Sequence, residues 1–271
     1  MRRIRITISY DGTAYFGWQI QPKLVTVQGV VEEALSRVEA APVKLYGSGR
    51  TDAGVHALAQ VGAFDFANPI PTDNLKRALN RLLPKDIRIL ECQEVSRGFH
   101  PRFHATAKTY RFRIHREEIC SPFERLYVWH YPYPLNEDLM CASATLFEGT
   151  QNFRAFAASD DRYTADSDMC RTVYSSTLVR QGELLTYEVR GSGFLKHMVR
   201  NLTGALVELG CGNLSVDDLR QMLQTGIRRR GIRTLPAQGL SLVSVEYPPE
   251  SEHLSGDFDQ ERVDDPRSDD D

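Results

Sequence analysis

The sequence predicts an α+β fold of two ferredoxin-like halves with antiparallel sheets, helices on the outer face and a disordered acidic C-terminal tail. Three observations lead there. The first 95 residues read β-α-β-β-α-β, the order of a ferredoxin-like half. The next 150 repeat that arrangement of strands and helices without repeating the sequence. Residues 251–271 hold nine acids and two bases in an aromatic-poor stretch that cannot support a core. A chain of 271 residues, 41% hydrophobic and 25% charged, can bury one large core or two ordinary ones. The expected division is 1–105, 106–249 and the tail 250–271.

The first strand follows from Ile4, Ile6 and Ile8 alternating with Arg5, Thr7 and Ser9, and Asp11-Gly12-Thr13 ends it. Tyr15, Phe16 and Trp18 follow in a loop too aromatic for a plain connector, either a satellite hydrophobic cluster or one wall of a nucleic-acid site. Thr26 caps a helix whose apolar face is Val27, Val30, Val31, Ala34, Leu35 and Val38, and Pro42 stops it. A short strand at 43–47, a glycine-rich stretch and a strand from Val61 to Phe66 come next. Thr72 is expected to cap a second helix bearing Leu75, Ala78, Leu79 and Leu82, which Pro84 ends before the strand Ile87 to Val95.

Phe99-His100-Pro101-Arg102-Phe103-His104 reads as a linker, solvated or touching a phosphate backbone. Lys108 to Ile114 alternates as a strand, with Tyr110, Phe112 and Ile114 on one face and Arg111 and Arg113 on the other; Tyr110 is core or a ring on which a base can stack. Leu135 to Phe147 reads as a helix, 158–168 as a mobile polar loop, and Arg171 to Val179 and Leu184 to Arg190 as strands. Gly193 is expected to open a long helix from Phe194 to Leu209. On it Lys196 and Arg200 form a solvated basic stripe, or Arg200 reaches inward to a carboxylate. Ser215 caps a further helix to about Gln224, and Leu240 to Val245 is the last strand.

Composition narrows the function. No stretch approaches about 20 consecutive apolar residues, so no membrane segment is expected. The opening Met1-Arg2-Arg3-Ile4-Arg5-Ile6 passes straight into a strand pattern without an apolar signal core, and a cytoplasmic location is expected. Cys92, Cys120, Cys141, Cys170 and Cys211 are odd in number, widely spread and never Cys-x-x-Cys; they read as reduced thiols, with neither zinc nor disulfides. His100 and His104 have metal-helix spacing, but Pro101 between them argues against the helix that spacing needs, so no metal is expected. The net charge of −3 divides into −7 on residues 251–271 and +4 on the rest, a mildly basic body that fits a nucleic-acid binder.

The chemistry concentrates in Gly47-Ser48-Gly49-Arg50-Thr51-Asp52-Ala53-Gly54-Val55-His56-Ala57. Its glycines free the backbone to turn sharply and approach a ligand, and Arg50 and Asp52, two apart, share one side of an extended chain. A reference Asp titrates near roughly 3.9 and a neighbouring guanidinium lowers that, so Asp52 is expected to be a carboxylate suited to act as nucleophile or general base. A Gly-rich hairpin with a surface Arg–Asp pair is the plainer alternative. Neither the Gly-Lys-Ser/Thr ending of a nucleotide loop nor the third glycine of a dinucleotide fold is present.

Over residues 4–247 the chain resembles the tRNA pseudouridine synthase A family. The runs that carry the likeness are Tyr10-Asp11-Gly12-Thr13 with Gly17-Trp18-Gln19 and Gln21-Pro22, Thr26-Val27-Gln28-Gly29, and Gly49 to Ala57. Beyond them come Lys108-Thr109-Tyr110-Arg111, His197-Met198-Val199-Arg200-Asn201, and Pro236-Ala237-Gln238-Gly239-Leu240. Ser48 stands where alanine is frequent, His104 and Ala105 fall in a variable stretch, and the acidic tail is not a family feature. The resemblance implies two halves joined into a pseudouridine-synthase core and isomerisation of uridine to pseudouridine at positions 38, 39 and 40 of the tRNA anticodon stem-loop. It further implies a homodimer with tRNA across both subunits, and no organic cofactor or metal. It makes Asp52 the catalytic aspartate, Tyr110 the residue on the target base, Arg50 the basic partner that helps displace that base, and Arg200 the arginine paired with the aspartate. A non-catalytic tRNA-binding module or folding chaperone is the alternative, in which Asp52 could be neutralised without loss. A nucleoside hydrolase would usually bring a second carboxylate as acid, and none stands out.

Overall fold

The structure, a computed structural model, describes residues 1–158 and 167–249. The acidic tail and nearly all of the expected loop at 158–168 lie outside the described residues. The fold is α+β, and the chain divides into two compact units, Met1–Thr106 together with the stretch from Leu242, and Ala107–Ser241.

In the first unit β1 (Arg2–Tyr10), α1 (Val27–Glu39), β2 (Tyr46–Gly47), β3 (His56–Phe66), α2 (Thr72–Leu82) and β4 (Ile87–Val95) follow one another along the chain. The sheet runs β4-β1-β3-β2, antiparallel throughout. β1 lies between two partners, with Ile4 opposite Phe64 and Ile6 opposite Gly62, and Ile4, Ile6 and Ile8 are all fully buried. The register of β1 on β3 shifts between Ile8 and Tyr10, which brings Tyr10 opposite Ala57 and starts β3 at His56 rather than at Val61. The Thr26 side chain accepts from the Gly29 N–H as expected of an N-cap. Thr72, by contrast, is the first helical residue of α2, and Pro71, with φ −57°, occupies the cap position without a side-chain bond.

The first half of the 99–104 stretch is not a solvated linker. Phe99 and His100 are buried, Phe99 packs on Tyr247 at 5.2 Å, and the Phe99 carbonyl accepts from the buried Arg3 guanidinium, which also reaches Asp65 at 3.1 Å. A cation taken out of water this far requires such partners.

In the second unit come β5 (Ala107–His115), β6 (Trp129–His130), α3 (Glu137–Ser143), β7 (Gly149–Asn152), β8 (Cys170–Gln181), β9 (Leu184–Gly191), α4 (Met198–Gly210) and α5 (Val216–Thr225). β10 (Leu240–Glu246) begins in this unit and continues into the first. The sheet order is β5-β9-β8-β7, antiparallel, with β6 added in parallel along β5. α4 is apolar almost all round and is buried over nearly its whole length, the mark of a central helix. It starts at Met198, four residues later than Phe194, because His197 takes the left-handed conformation, φ 60°, and so cannot continue a helix backwards. The helix expected over Leu135 to Phe147 divides into α3 and a 3-10 turn at Ala144–Phe147. Ser215 does cap α5, in a reciprocal capping box with Asp218.

Candidate active site

Arg50 and Asp52 lie in the loop between β2 and β3, in the first unit. Between them Thr51 is buried, its hydroxyl 2.7 Å from the Tyr10 hydroxyl, while Arg50 and Asp52 themselves are half-buried. Thr51 thus faces the core, while its two neighbours are only half-buried. Burial pushes the Tyr10 phenol well above its ordinary range, so it stays a neutral hydrogen-bonding group.

Upstream of Arg50 the loop is held from below by Gln60, which is fully buried on β3. Its amide NH2 donates to the Gly49 carbonyl at 3.0 Å, and its oxygen accepts from the Ser48 hydroxyl at 2.5 Å. Downstream, the Val55 N–H donates to the Asp52 carbonyl at 3.1 Å, closing a four-residue turn whose third residue, Gly54, takes φ 78°. Past that turn, Nδ1 of the buried His56 accepts the Gly12 N–H at 3.0 Å, tying the loop to the end of β1.

Two glycines of the preceding segment let backbone meet backbone. A Cβ on Gly12 would stand 2.0 Å from the Val55 carbonyl oxygen, and one on Gly17, at φ 88°, would stand 2.6 Å from that of Thr51. The Trp18 N–H donates to this same Thr51 oxygen at 3.0 Å. Of the aromatic loop, Tyr15 and Trp18 are buried, with Trp18 stacked on Tyr10 at 6.1 Å, and Phe16 is exposed. Asp52 therefore sits on a loop held at both ends and from beneath.

Tyr110 and Arg200 belong to the second unit. Tyr110 lies on β5 opposite Val189, 8% exposed, its ring edge-on to Phe194 at 5.2 Å. Arg200 is half-buried in the first turn of α4, and its Nε donates to the Leu235 carbonyl at 2.7 Å. The segment that supplies that carbonyl is laced to α4. Fully buried Asn201 donates to the Phe156 carbonyl at 2.6 Å and accepts from Thr234 at 2.7 Å and Arg228 at 3.2 Å. Buried Glu208 takes Arg233 at 2.9 Å and Asn213 at 2.7 Å, and a Cβ on Gly204 would stand 2.1 Å from the Arg233 carbonyl oxygen. The hydrogen bond to Glu208 holds the Arg233 guanidinium above its ordinary range, while burial lowers Arg228.

Sequence reasoning passed over Gln60 and the role of Asn201. The only signal for Gln60 was an amide inside the otherwise apolar run Ala59-Gln60-Val61, three residues past the glycine motif. Asn201 lay within a quoted run, but its partners come from segments distant in sequence. Among the described residues no group of three His, Cys, Asp or Glu could hold a metal ion, and no helix is long and apolar enough to cross a membrane.

A family model described as tRNA pseudouridine synthase matches residues 6–104 and 143–248. The chain is 56% identical over 247 residues to tRNA pseudouridine synthase A of Solibacter usitatus (strain Ellin6076), covering 91% of this chain and all of that one. It is 46% identical over 248 residues to tRNA pseudouridine synthase A of Citrifermentans bemidjiense, covering 91% and 98%. Among solved structures, a chain of the archaeal box H/ACA sRNP Nop10–Cbf5 complex aligns with 75% of this chain and 44% of its own at 14% identity; its TM-score of 0.36 is too low to bear on the fold.

Proposed function

The chain belongs to the tRNA pseudouridine synthase family, and from that premise we propose that it isomerises uridine to pseudouridine at positions 38, 39 and 40 of the tRNA anticodon stem-loop, with Asp52 as the catalytic carboxylate. The observation that carries the assignment is the fixed loop. Thr51, Gly49 and Val55 are each anchored, and between them stand the half-buried Arg50 and Asp52.

The reaction breaks the bond from N1 to C1′, turns the uracil while it stays bound, and joins C5 to C1′. The C5 proton leaves and N1 takes one up, so no oxidant or external group is consumed. A preorganised carboxylate serves this chemistry by attacking C1′ or C6, by stabilising positive charge on the ribose, or by taking a proton from C2′. The base must first leave its stack, at a cost of a few kcal/mol. We assign Arg50 to displacing it, Tyr110 to contact with the uracil and Arg200 to pairing with Asp52. These three roles rest on the family's motif positions.

The same reading takes the protein as a cytoplasmic homodimer with tRNA lying across both subunits, acting without metal or organic cofactor. It takes 1–105 as the ferredoxin-like domain that carries the aspartate, 106–249 as a second such domain, and 250–271 as an appendage without an assigned role. The test is release of tritium from C5 of uridine in labelled tRNA transcripts, alongside tRNA binding. Asp52→Asn is expected to bind tRNA like the wild type and to release label slower by on the order of 10³-fold or more. Equal release by the two proteins would sink the assignment and leave a tRNA-binding module.

A further inference from the structure

The turn that follows β4 presents an aromatic ring to water in a way that fold stability does not account for. Phe103 is 48% exposed, although Phe99, His100 and Pro101 just before it are buried. Its ring stacks on that of buried His100, with centroids 4.4 Å apart and planes 27° apart, and the Arg102 guanidinium lies 5.7 Å from its centroid. The turn beneath is closed by several hydrogen bonds. His104 N–H donates to the His100 carbonyl at 3.2 Å, and His100 N–H donates to His104 Nδ1 at 3.1 Å. His100 Nδ1 accepts from the N–H groups of both Arg102 and Phe103, at 3.1 and 3.3 Å, and the Pro101 carbonyl accepts from the Tyr247 hydroxyl at 2.6 Å. Burial, helped by the nearby charges of Arg3 and Arg102, pushes His100 down to about 3, so the ring under Phe103 is uncharged.

A lone exposed phenylalanine is ordinary; one held flat against a buried ring, with a guanidinium beside it, is preorganised to stack. The surroundings are cationic as well. Exposed Lys44 lies close by, 5.0 Å from the ring centroid of Tyr46, which is itself tilted against His100 at 5.7 Å. Every nucleobase has a π-face, and the phosphates beside it favour just such positive charge. A second copy meeting this face symmetrically would set Arg102 against Arg102, a like-charge contact.

We infer that Phe103, backed by His100 and flanked by Arg102, is a stacking platform for an unpaired base of the substrate tRNA, separate from the uridine being isomerised. The inference rests on the reading of the chain as a tRNA-modifying enzyme. It is tested with Phe103→Ala, Phe103→Leu and Phe103→Trp, measuring tRNA binding on filters, the kcat and KM of tritium release, and self-association by light scattering. Alanine and leucine are expected to weaken tRNA binding and raise KM by about ten- to a hundredfold with kcat within about twofold, and tryptophan to restore both. Leucine binding as well as phenylalanine would overturn the platform, since apolar area alone would then suffice. Loss of self-association in the alanine variant would overturn it too, by making this face a contact between copies. If the wild type binds tRNA but releases no tritium, the isomerase reading falls while the binding measurements still decide the platform. Should the wild type bind no tRNA, both fall.

Discussion

The loop carrying Arg50 and Asp52 is fixed by uncharged anchors, Tyr10, Thr51, Ser48 and Gln60, and by glycine backbones pressed against it. In the second unit, the segment that receives the Nε of Arg200 is tied to α4 largely through charge, by Arg228 on Asn201 and Arg233 on Glu208. Buried neutral bonds hold geometry regardless of pH or salt, whereas charge-assisted ones are stronger and cost more when a partner is lost. Rigidity sits with the proposed reacting carboxylate, and the stronger individual bonds sit with the arginine.

Gly17→Ala strikes this contrast hardest. A Cβ there meets the Thr51 carbonyl at 2.6 Å at a φ that disfavours any side chain, and the only relief is to move the loop. A displacement near 1 Å at a reacting group costs about 100-fold, so kcat should fall at least that far while tRNA affinity changes little. Gly182→Ala, at φ 58° with nothing within 4 Å, is the control for backbone strain alone and should leave kcat unchanged. A G17A enzyme with normal kcat would show that the loop is not fixed by the glycine contact.

The next effect compares the two buried amides by chemical denaturation. Gln60→Leu strands the Gly49 carbonyl and the Ser48 hydroxyl and should cost about 1–3 kcal/mol. Asn201→Leu also strips a half-buried guanidinium of an acceptor and should cost about 3 kcal/mol or more. The reverse order would break the contrast between neutral and charged anchoring.

Acid provides the finest separation. His100 is lowered to about 3 from an ordinary 6.5, so between those values the unfolded chain binds a proton that the folded one refuses. Its contribution is complete above pH 6.5 and is lost steadily as the pH falls toward 3. In the second unit, burial alone would raise Glu137, but hydrogen bonds from Arg116 and Arg180 and their charges carry it below its ordinary 4.5. Its stabilisation persists above that value and disappears only as the pH falls through the lowered one. Thermal unfolding from pH 7 to 5 should therefore flatten in His100→Asn and remain wild-type in Glu137→Gln.

Much of this was legible in the residues. The Ile4-Ile6-Ile8 alternation, the Thr26 cap and the Ser215 cap each declare themselves locally, because period and capping chemistry act over a few residues. What escaped was set at longer range. β3 reaches back to His56 because β1 pairs with it through a shifted register, and α4 starts late because His197 turns left-handed. The 99–104 stretch reads as solvated from its histidines and arginine, yet Tyr247 and Arg3, far away in sequence, draw its first half into the core. The glycine motif located Arg50 and Asp52, but Gln60 beneath them and the partners of Asn201 are defined only once the chain has folded.

The stretch from Leu242 that rejoins the first unit has a consequence for synthesis. Phe99 acquires its Tyr247 cover, and Pro101 its hydroxyl donor, only after residues 107–241 have been made. On the ribosome the loop of Asp52 can form early, from residues 10–61 alone, while the Phe103 turn waits for nearly the last described residues to emerge. A chain cut short before Tyr247 would thus keep the anchors of its carboxylate and lose the hydroxyl that holds Pro101. The order of translation separates the parts proposed for chemistry from those proposed for grip.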